Sequence, residues 1–225
     1  MEYFWVLGAY LAFHGSPCWW ATIHRAHHRH SDTVLDPHTP TISAMHSYWF
    51  FRDFAYPDHI NPHVQSKDLL ADPVYRALEC GGNWRVGYAV NVVACILFRL
   101  ALLFLCGPLV AGASLLAGVL ALNMPLILNI ICHIPKFGYR LYDTKDESVN
   151  VWFMAVVGLG DGWHNNHHAC PGSSRMGIKP WEIDLSFELL RLMQGLRLVS
   201  HINDSLVPPS PLPAQTRCLT SAGQK

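Results

Sequence analysis

The chain has 225 residues, and its 16 basic side chains balance its 16 acidic ones. This balance gives no support to nucleic-acid binding. Only 14% of the residues are charged, against about 25% in soluble domains, which favours a membrane protein. The seven cysteines are odd in number and form no C-x-x-C pair, so no disulfide framework is predicted.

The first apolar run extends from Tyr3 to Phe13 and leads to the cluster His24-Arg25-Ala26-His27-His28. The run is shorter than the ~20 residues needed to span a bilayer, so we expect it to be the end of a longer segment. On a helix the three histidines fall at i, i+3 and i+4 and therefore share one face.

The middle of the chain contains the membrane signal. Residues 40–85 mix aromatic and polar side chains and predict short interfacial helices. Two long apolar runs follow, Val86–Cys106 and Leu109–Ile131, separated by Gly107-Pro108. Each can cross ~30 Å of hydrocarbon, which predicts a transmembrane hairpin over about residues 86–131. The alternative is a buried helical pair in a soluble protein, and Arg99 has no explanation from the sequence.

A hairpin returns the chain to the side of the membrane that it left. Basic residues flank the predicted hairpin on that side, whereas its tip has none, so the positive-inside rule predicts that this side is cytoplasmic. The flanking residues are Arg76, Arg85, Lys136 and Arg140.

A second cluster, His164-Asn165-Asn166-His167-His168, repeats the spacing of the first, and Asn129 and His133 lie one helical turn apart between them. We predict that all three groups meet on one side of the membrane. Neutral imidazole suits iron, zinc and copper, and two triplets can hold two neighbouring metals. The remaining histidines without a spaced partner are expected to be exposed or hydrogen-bonded; they are His30, His46, His59, His63 and His201.

After the second cluster, residues Trp181 to Val199 show apolar side chains at helical spacing. This pattern predicts an amphipathic helix on the cytoplasmic unit or the bilayer surface. The residues beyond it are rich in Pro, Ser and Thr. We therefore predict one domain over residues 1–206 and a disordered tail over 207–225.

The segment His24 to Thr33, followed by Asp36-Pro37-His38, resembles the second histidine box of the membrane-bound delta-9 acyl-CoA and acyl-lipid desaturases. The segment Gly160 to His168 resembles their third box. Further landmarks of the family are Tyr142-Asp143-Thr144, Asp146-Glu147-Ser148 and Trp181-Glu182-Ile183-Asp184.

The resemblance implies an all-α integral membrane protein in which a cytoplasmic helical unit holds two non-haem iron ions. It implies O₂-dependent introduction of a cis double bond, at delta-9, into a saturated acyl chain carried on CoA or a lipid. Electrons would come from cytochrome b5 or a ferredoxin. The location would be the bacterial inner membrane or the endoplasmic reticulum, with membrane lipid and no nucleic acid as partners.

The resemblance also assigns residues. It implies that Asn129 approaches one metal through water and that Trp20 lies beside the bend of an acyl tunnel. The implied metal ligands are His24, His27, His28, His133, His164, His167 and His168.

The chain departs from the family by lacking the first box, H-x-x-x-x-H, so seven of the nine family histidines are present. His14 is a poor replacement because ten helical residues separate it from His24, about 15 Å along the axis. One metal would be under-coordinated, and we expect little turnover from residues 1–225. The open alternatives are a related lipid hydroxylase and an inactive, metal-poor remnant.

Overall fold

The computed structural model describes residues 2–44 and 59–206, and in these ranges its regular elements are helices, with no strand. The predicted all-α fold is confirmed for this part of the chain. The predicted tail at 207–225 and His46 lie outside the described residues. The α-helices are α1 Glu2–Tyr10, α2 Pro17–His30, α3 Pro62–Gln65, α4 Lys67–Leu70, α5 Pro73–Leu78, α6 Trp84–Cys106, α7 Pro108–Cys132, α8 Trp152–Val157, α9 His164–Ala169 and α10 Leu185–Gly195.

Helices α6 and α7 form the predicted hairpin, and both are long and apolar enough to cross a membrane. Helix α6 starts earlier than predicted because the Asn83 side chain caps its first turn by accepting a hydrogen bond from the Val86 amide. It ends at Gly107, whose φ of 88° is left-handed, and Pro108 begins α7. A single residue, Gly107, therefore connects α6 to α7.

Arg99, which the sequence left unexplained, binds the carbonyl end of α1. Its guanidinium donates hydrogen bonds to the carbonyl oxygens of Leu11 at 2.6 Å and Ser114 at 3.3 Å. The Phe13 ring lies against the guanidinium carbon at 4.4 Å. The last carbonyls of a helix have no partner within it and carry partial negative charge, so a partly buried cation stabilises them. Arg99 thereby fixes the turn between α1 and α2 to the hairpin.

Helix α2 carries the first histidine cluster and is fixed at its start by a side-chain cap. Ser16 accepts a hydrogen bond from the Trp19 amide at 3.0 Å, and Pro17 occupies the first helical position. The helix buries Cys18 and Thr22 against the short helices α3 to α5, which confirms the predicted helical character of the described part of residues 40–85.

The predicted amphipathic helix near the end of the domain is α10. The Asp184 carboxylate caps it by accepting a hydrogen bond from the Phe187 amide at 3.0 Å. Phe187 and Met193 face inward and are buried, whereas Leu189 and the other leucines of the neighbouring face stay exposed. The helix is shorter than the pattern from Trp181 to Val199 suggested, because capping sets its start and Gly195 its end.

Replacing Arg99 with Met is expected to destabilise the protein by roughly 2–3 kcal/mol, because the Leu11 and Ser114 carbonyls lose a charged donor in an apolar setting. Thermal unfolding in detergent measures this loss. Arg191→Met is the matched control, since Arg191 forms an exposed ion pair with Glu188. Equal midpoints for the two variants would contradict the assignment of Arg99.

Candidate metal centre

The two histidine clusters meet, as predicted, and their imidazoles sort into two groups. We call the first the four-histidine group; its members are His27, His133, His164 and His168. We call the second the three-histidine group; its members are His24, His28 and His167. Within each group the candidate ligand atoms lie within 4.8 Å of one another. The groups adjoin, since the rings of His28 and His168 are 4.4 Å apart.

Both helical clusters contribute to both groups, which explains their shared spacing. In α2, His27 faces one group while His24 and His28, one turn apart, face the other. In the second cluster, His164 and His168 face the first group and His167 faces the second. His133, at the carboxyl end of α7, completes the four-histidine group. An i, i+3, i+4 triplet therefore serves two neighbouring metal positions.

The second cluster sits on a loop and short helix that pack tightly on α8. A Cβ atom on Gly162 would lie 2.0 Å from the backbone nitrogen of Ala155, so only glycine fits there. The Val151 amide donates to the Gly162 carbonyl at 2.8 Å, and the indole of the following residue, Trp163, donates to Ile183 O at 2.9 Å. These contacts set where α9 begins.

Two buried asparagines between the histidines attach α9 to the neighbouring loops through hydrogen bonds. Asn165 accepts hydrogen bonds from the Leu141 and Tyr142 amides, both at 2.8 Å. Asn166 donates to Glu182 at 2.9 Å and to Met176 O at 2.8 Å. The side-chain amides of these asparagines form hydrogen bonds with backbone groups of the surrounding loops. These bonds hold the histidines of α9 in fixed positions. The sequence indicated these asparagines only through the family landmark, without a role.

Three aspartates form hydrogen bonds with the Nδ1 atoms of imidazoles in the four-histidine group. Asp36 accepts from His27 Nδ1 at 2.9 Å, Asp32 from His133 Nδ1 at 2.8 Å, and Asp146 from His168 Nδ1 at 2.9 Å. These aspartates lie within the family segments quoted above, but the sequence did not predict this function for them. The available signal was their repeated occurrence near the clusters, where metal-bound histidines commonly donate to carboxylates.

Burial keeps the imidazoles of the two histidine clusters neutral. It lowers the pKa of His24 to about 4 and that of His167 to about 3. Burial, together with the neighbouring imidazoles, lowers the pKa of His164 and His168 well below the usual value. Neutral imidazole is the form that binds metals, so the imidazoles of the two histidine clusters can act as ligands at neutral pH.

The imidazole nitrogens of the four-histidine group are better placed to bind a metal ion than to form hydrogen bonds with one another. Because Nδ1 of His133 and of His168 each donates to an aspartate, both Nε2 atoms carry lone pairs, yet they lie 3.3 Å apart. Nε2 of His27 is buried and has no hydrogen-bond partner in the described residues. Two nitrogens bound about 2.0–2.1 Å from one cation would be roughly 3 Å apart. The residues therefore fit a metal ion.

A cavity of about 170 Å³ opens beside the imidazoles. Trp20, predicted to lie at the bend of a tunnel, lines this cavity and stacks on His24 with ring centroids 6.5 Å apart. Trp20 also lines a second cavity, of about 320 Å³, with Trp5 and His14. Asn129 lines the first cavity, and its amide donates to His38 O at 2.6 Å. Its water-mediated role stays a prediction.

The other histidines stay outside both groups in the described part of the chain. His59 donates to Leu35 O at 2.7 Å and packs edge-on against His30 at 5.5 Å. His63 and His201 are exposed. His14 packs against Trp20 at 5.7 Å and joins neither group, in line with its prediction as a poor replacement ligand.

Gly162→Ala is expected to destabilise the protein by roughly 3 kcal/mol or more, because the added methyl overlaps the backbone at Ala155 and must displace the second histidine cluster. Gly112→Ala is the control, since a Cβ there meets nothing within 4 Å. Thermal unfolding and bound metal per chain measure the two effects. A Gly162→Ala variant as stable and as metal-rich as Gly112→Ala would show that the tight contact does not set the site.

Comparisons with known proteins agree with this site. Residues 2–191 match the family model described as Fatty acid desaturase. The chain is 37% identical to the sn-1 stearoyl-lipid 9-desaturase of Anabaena variabilis, covering 90% of this chain and 71% of that protein. It is 33% identical to the Acyl-CoA C20 Delta5-desaturase of Anemone leveillei, covering 90% and 62%. It is 30% identical to the Delta-9 acyl-lipid desaturase 1 of Arabidopsis thaliana, covering 90% and 64%. The chain thus spans less than two thirds of these two plant relatives.

Proposed function

Because the chain belongs to the fatty acid desaturase family, we propose that it introduces a cis double bond into a saturated fatty acyl chain. The reaction would use O₂ and two iron ions, one at each histidine group. The observation that carries the proposal is the convergence of seven imidazoles, contributed by both clusters and His133, beside a cavity of about 170 Å³. The relatives are named as delta-9 and as delta-5 desaturases, and we propose to test delta-9 first as the position of the double bond.

The proposed ligands are the seven histidines of the two groups, with Asn129 approaching one metal through water. Bound iron would supply the O₂-dependent oxidation that removes two hydrogens from adjacent methylenes, which no protein side chain can do alone. The aspartates fix the tautomer and orientation of the imidazoles. Burial excludes bulk water from the cluster, which limits side reactions.

Substrate placement is proposed to depend on the wall made by Trp20. The acyl chain would enter the cavity beside His24 and His167 and continue past Trp20 toward the cavity that Trp5 and His14 line. A fixed aromatic wall determines which carbons lie nearest the imidazoles, so the distance from the head group would select the bond position. Pro125 also lines the first cavity and would shape the same passage.

The proposed setting is a membrane, with the site on the cytoplasmic side. Helices α6 and α7 are long and apolar enough to span, and α7 ends next to His133. Basic residues at these ends support a cytoplasmic orientation. The substrate would be an acyl-CoA or acyl-lipid, as in the names of the relatives. The two electrons would come from a separate carrier, cytochrome b5 or a ferredoxin.

Product analysis tests the activity. The protein is expressed from its gene with any in-frame upstream sequence, in membranes supplied with a perdeuterated saturated acyl chain and a reducing system. We expect an alkene that has lost a deuterium pair, with the bond at delta-9, and none from His168→Ala. An alcohol as the main product would identify a hydroxylase, and no product from an iron-loaded protein would indicate an inactive remnant.

Residues 1–225 expressed alone are expected to form at least tenfold less product than a chain carrying an upstream H-x-x-x-x-H segment. The described imidazoles divide four and three, so one metal has fewer ligands. Iron content and product formed per chain are measured together. Equal activity per chain from the two proteins would show that the seven imidazoles suffice.

A further inference from the structure

The two imidazole groups differ in what supports them. In the four-histidine group, three of the four rings donate Nδ1 to a buried or nearly buried aspartate. In the three-histidine group, no carboxylate of the described residues contacts a ring, and the buried Nδ1 of His167 has no hydrogen-bond partner there. The same donor atoms therefore have unequal surroundings.

The three aspartates are themselves held in place. Asp36 accepts from the amides of Asp32 and His38, both at 2.8 Å. Asp32, whose φ of 59° turns the chain after α2, accepts from the Glu147 amide at 2.8 Å and the Thr39 hydroxyl at 2.9 Å. Backbone and hydroxyl donors of the chain itself hold these carboxylates, and the carboxylates in turn orient the rings that would bind a metal.

Asp146 is anchored in the same way and adds the third negative charge. It accepts from the Thr144 hydroxyl at 2.9 Å and the Ser148 amide at 3.1 Å. Three carboxylates around one group lower the electrostatic free energy of a divalent cation there. No carboxylate of the described residues contacts a ring of the three-histidine group, so that group lacks this stabilisation.

We propose that the two metal positions are unequal. The four-histidine group is the high-affinity position, which fills first and keeps its metal. The three-histidine group is a weaker, exchangeable position. Asp32, Asp36 and Asp146 are positioning residues for the first position only. This inference rests on the proposed function, because it takes both groups to be metal positions.

Cobalt titration tests the order. Co²⁺ is added to the metal-free chain in detergent, and binding is followed by visible absorption and by cobalt content after desalting. We expect two equivalents, the first bound at least tenfold more tightly. His28→Ala is expected to lose only the weaker equivalent, whereas His164→Ala loses the tighter one. Two indistinguishable equivalents, or loss of the tighter one in His28→Ala, would overturn the proposal.

The aspartates are tested by replacement with the isosteric amide. Asp146→Asn and Asp32→Asn are each expected to weaken the tighter equivalent about 10–100-fold and to leave the weaker one unchanged. Asp143→Asn is the matched control, because Asp143 is exposed in the same loop as Asp146. Thermal unfolding confirms that each variant is folded. Equal weakening of both equivalents, or none, would show that the aspartates do not distinguish the positions.

These outcomes separate the inference from the proposed function. Two equal cobalt equivalents with an alkene product would overturn the inequality and leave desaturation standing. Ordered binding without any oxidised product would support the inequality and count against desaturation. The absence of bound cobalt at both groups would overturn both.

Discussion

The site depends on hydrogen bonds that orient the imidazole rings so that their Nε2 lone pairs point toward one another. When His133 and His168 donate Nδ1–H to Asp32 and Asp146, their Nε2 atoms can only accept, and these atoms nevertheless lie 3.3 Å apart. Such an arrangement is unfavourable among neutral rings and favourable around a cation. The rest of the structure keeps the rings in place against that repulsion.

Different parts of the chain share this task. The hairpin of α6 and α7 brings His133 to the same end of the molecule as α2 and α9. Arg99 secures the turn before α2 by binding the carbonyl end of α1. Buried asparagines secure α9. Each fixed point lies outside the ligand set, so changes far from the imidazoles can alter the geometry at the cavity.

The sequence predicted those features that regular spacing determines. Apolar runs of sufficient length gave the hairpin, and the i, i+3, i+4 histidines gave the convergence of both clusters. The division of each triplet between two groups was anticipated only in general terms. The role of Arg99, and of the aspartates behind the rings, depends on contacts between residues far apart in the chain. Arg99 and Leu11 are 88 positions apart, and His133 and Asp32 are 101.

Local chemistry also shifted boundaries that periodicity could not determine. The Asn83 cap moved the start of α6 toward the amino terminus, and the Asp184 cap with Gly195 shortened α10. Helix α10 buries Phe187, which the apolar pattern did not single out, because the docking surface selects the inward face. Capping and packing thus decide details that hydrophobic spacing leaves open.

X-ray absorption at the metal edge of the loaded protein tests most directly whether both clusters form one imidazole-lined centre. Seven converging imidazoles predict a nitrogen and oxygen shell at about 2.0–2.2 Å, outer-shell scattering from three to four imidazoles per metal, and no sulfur. Metal–sulfur scattering at about 2.3 Å, or fewer than two imidazoles per metal, would contradict this prediction.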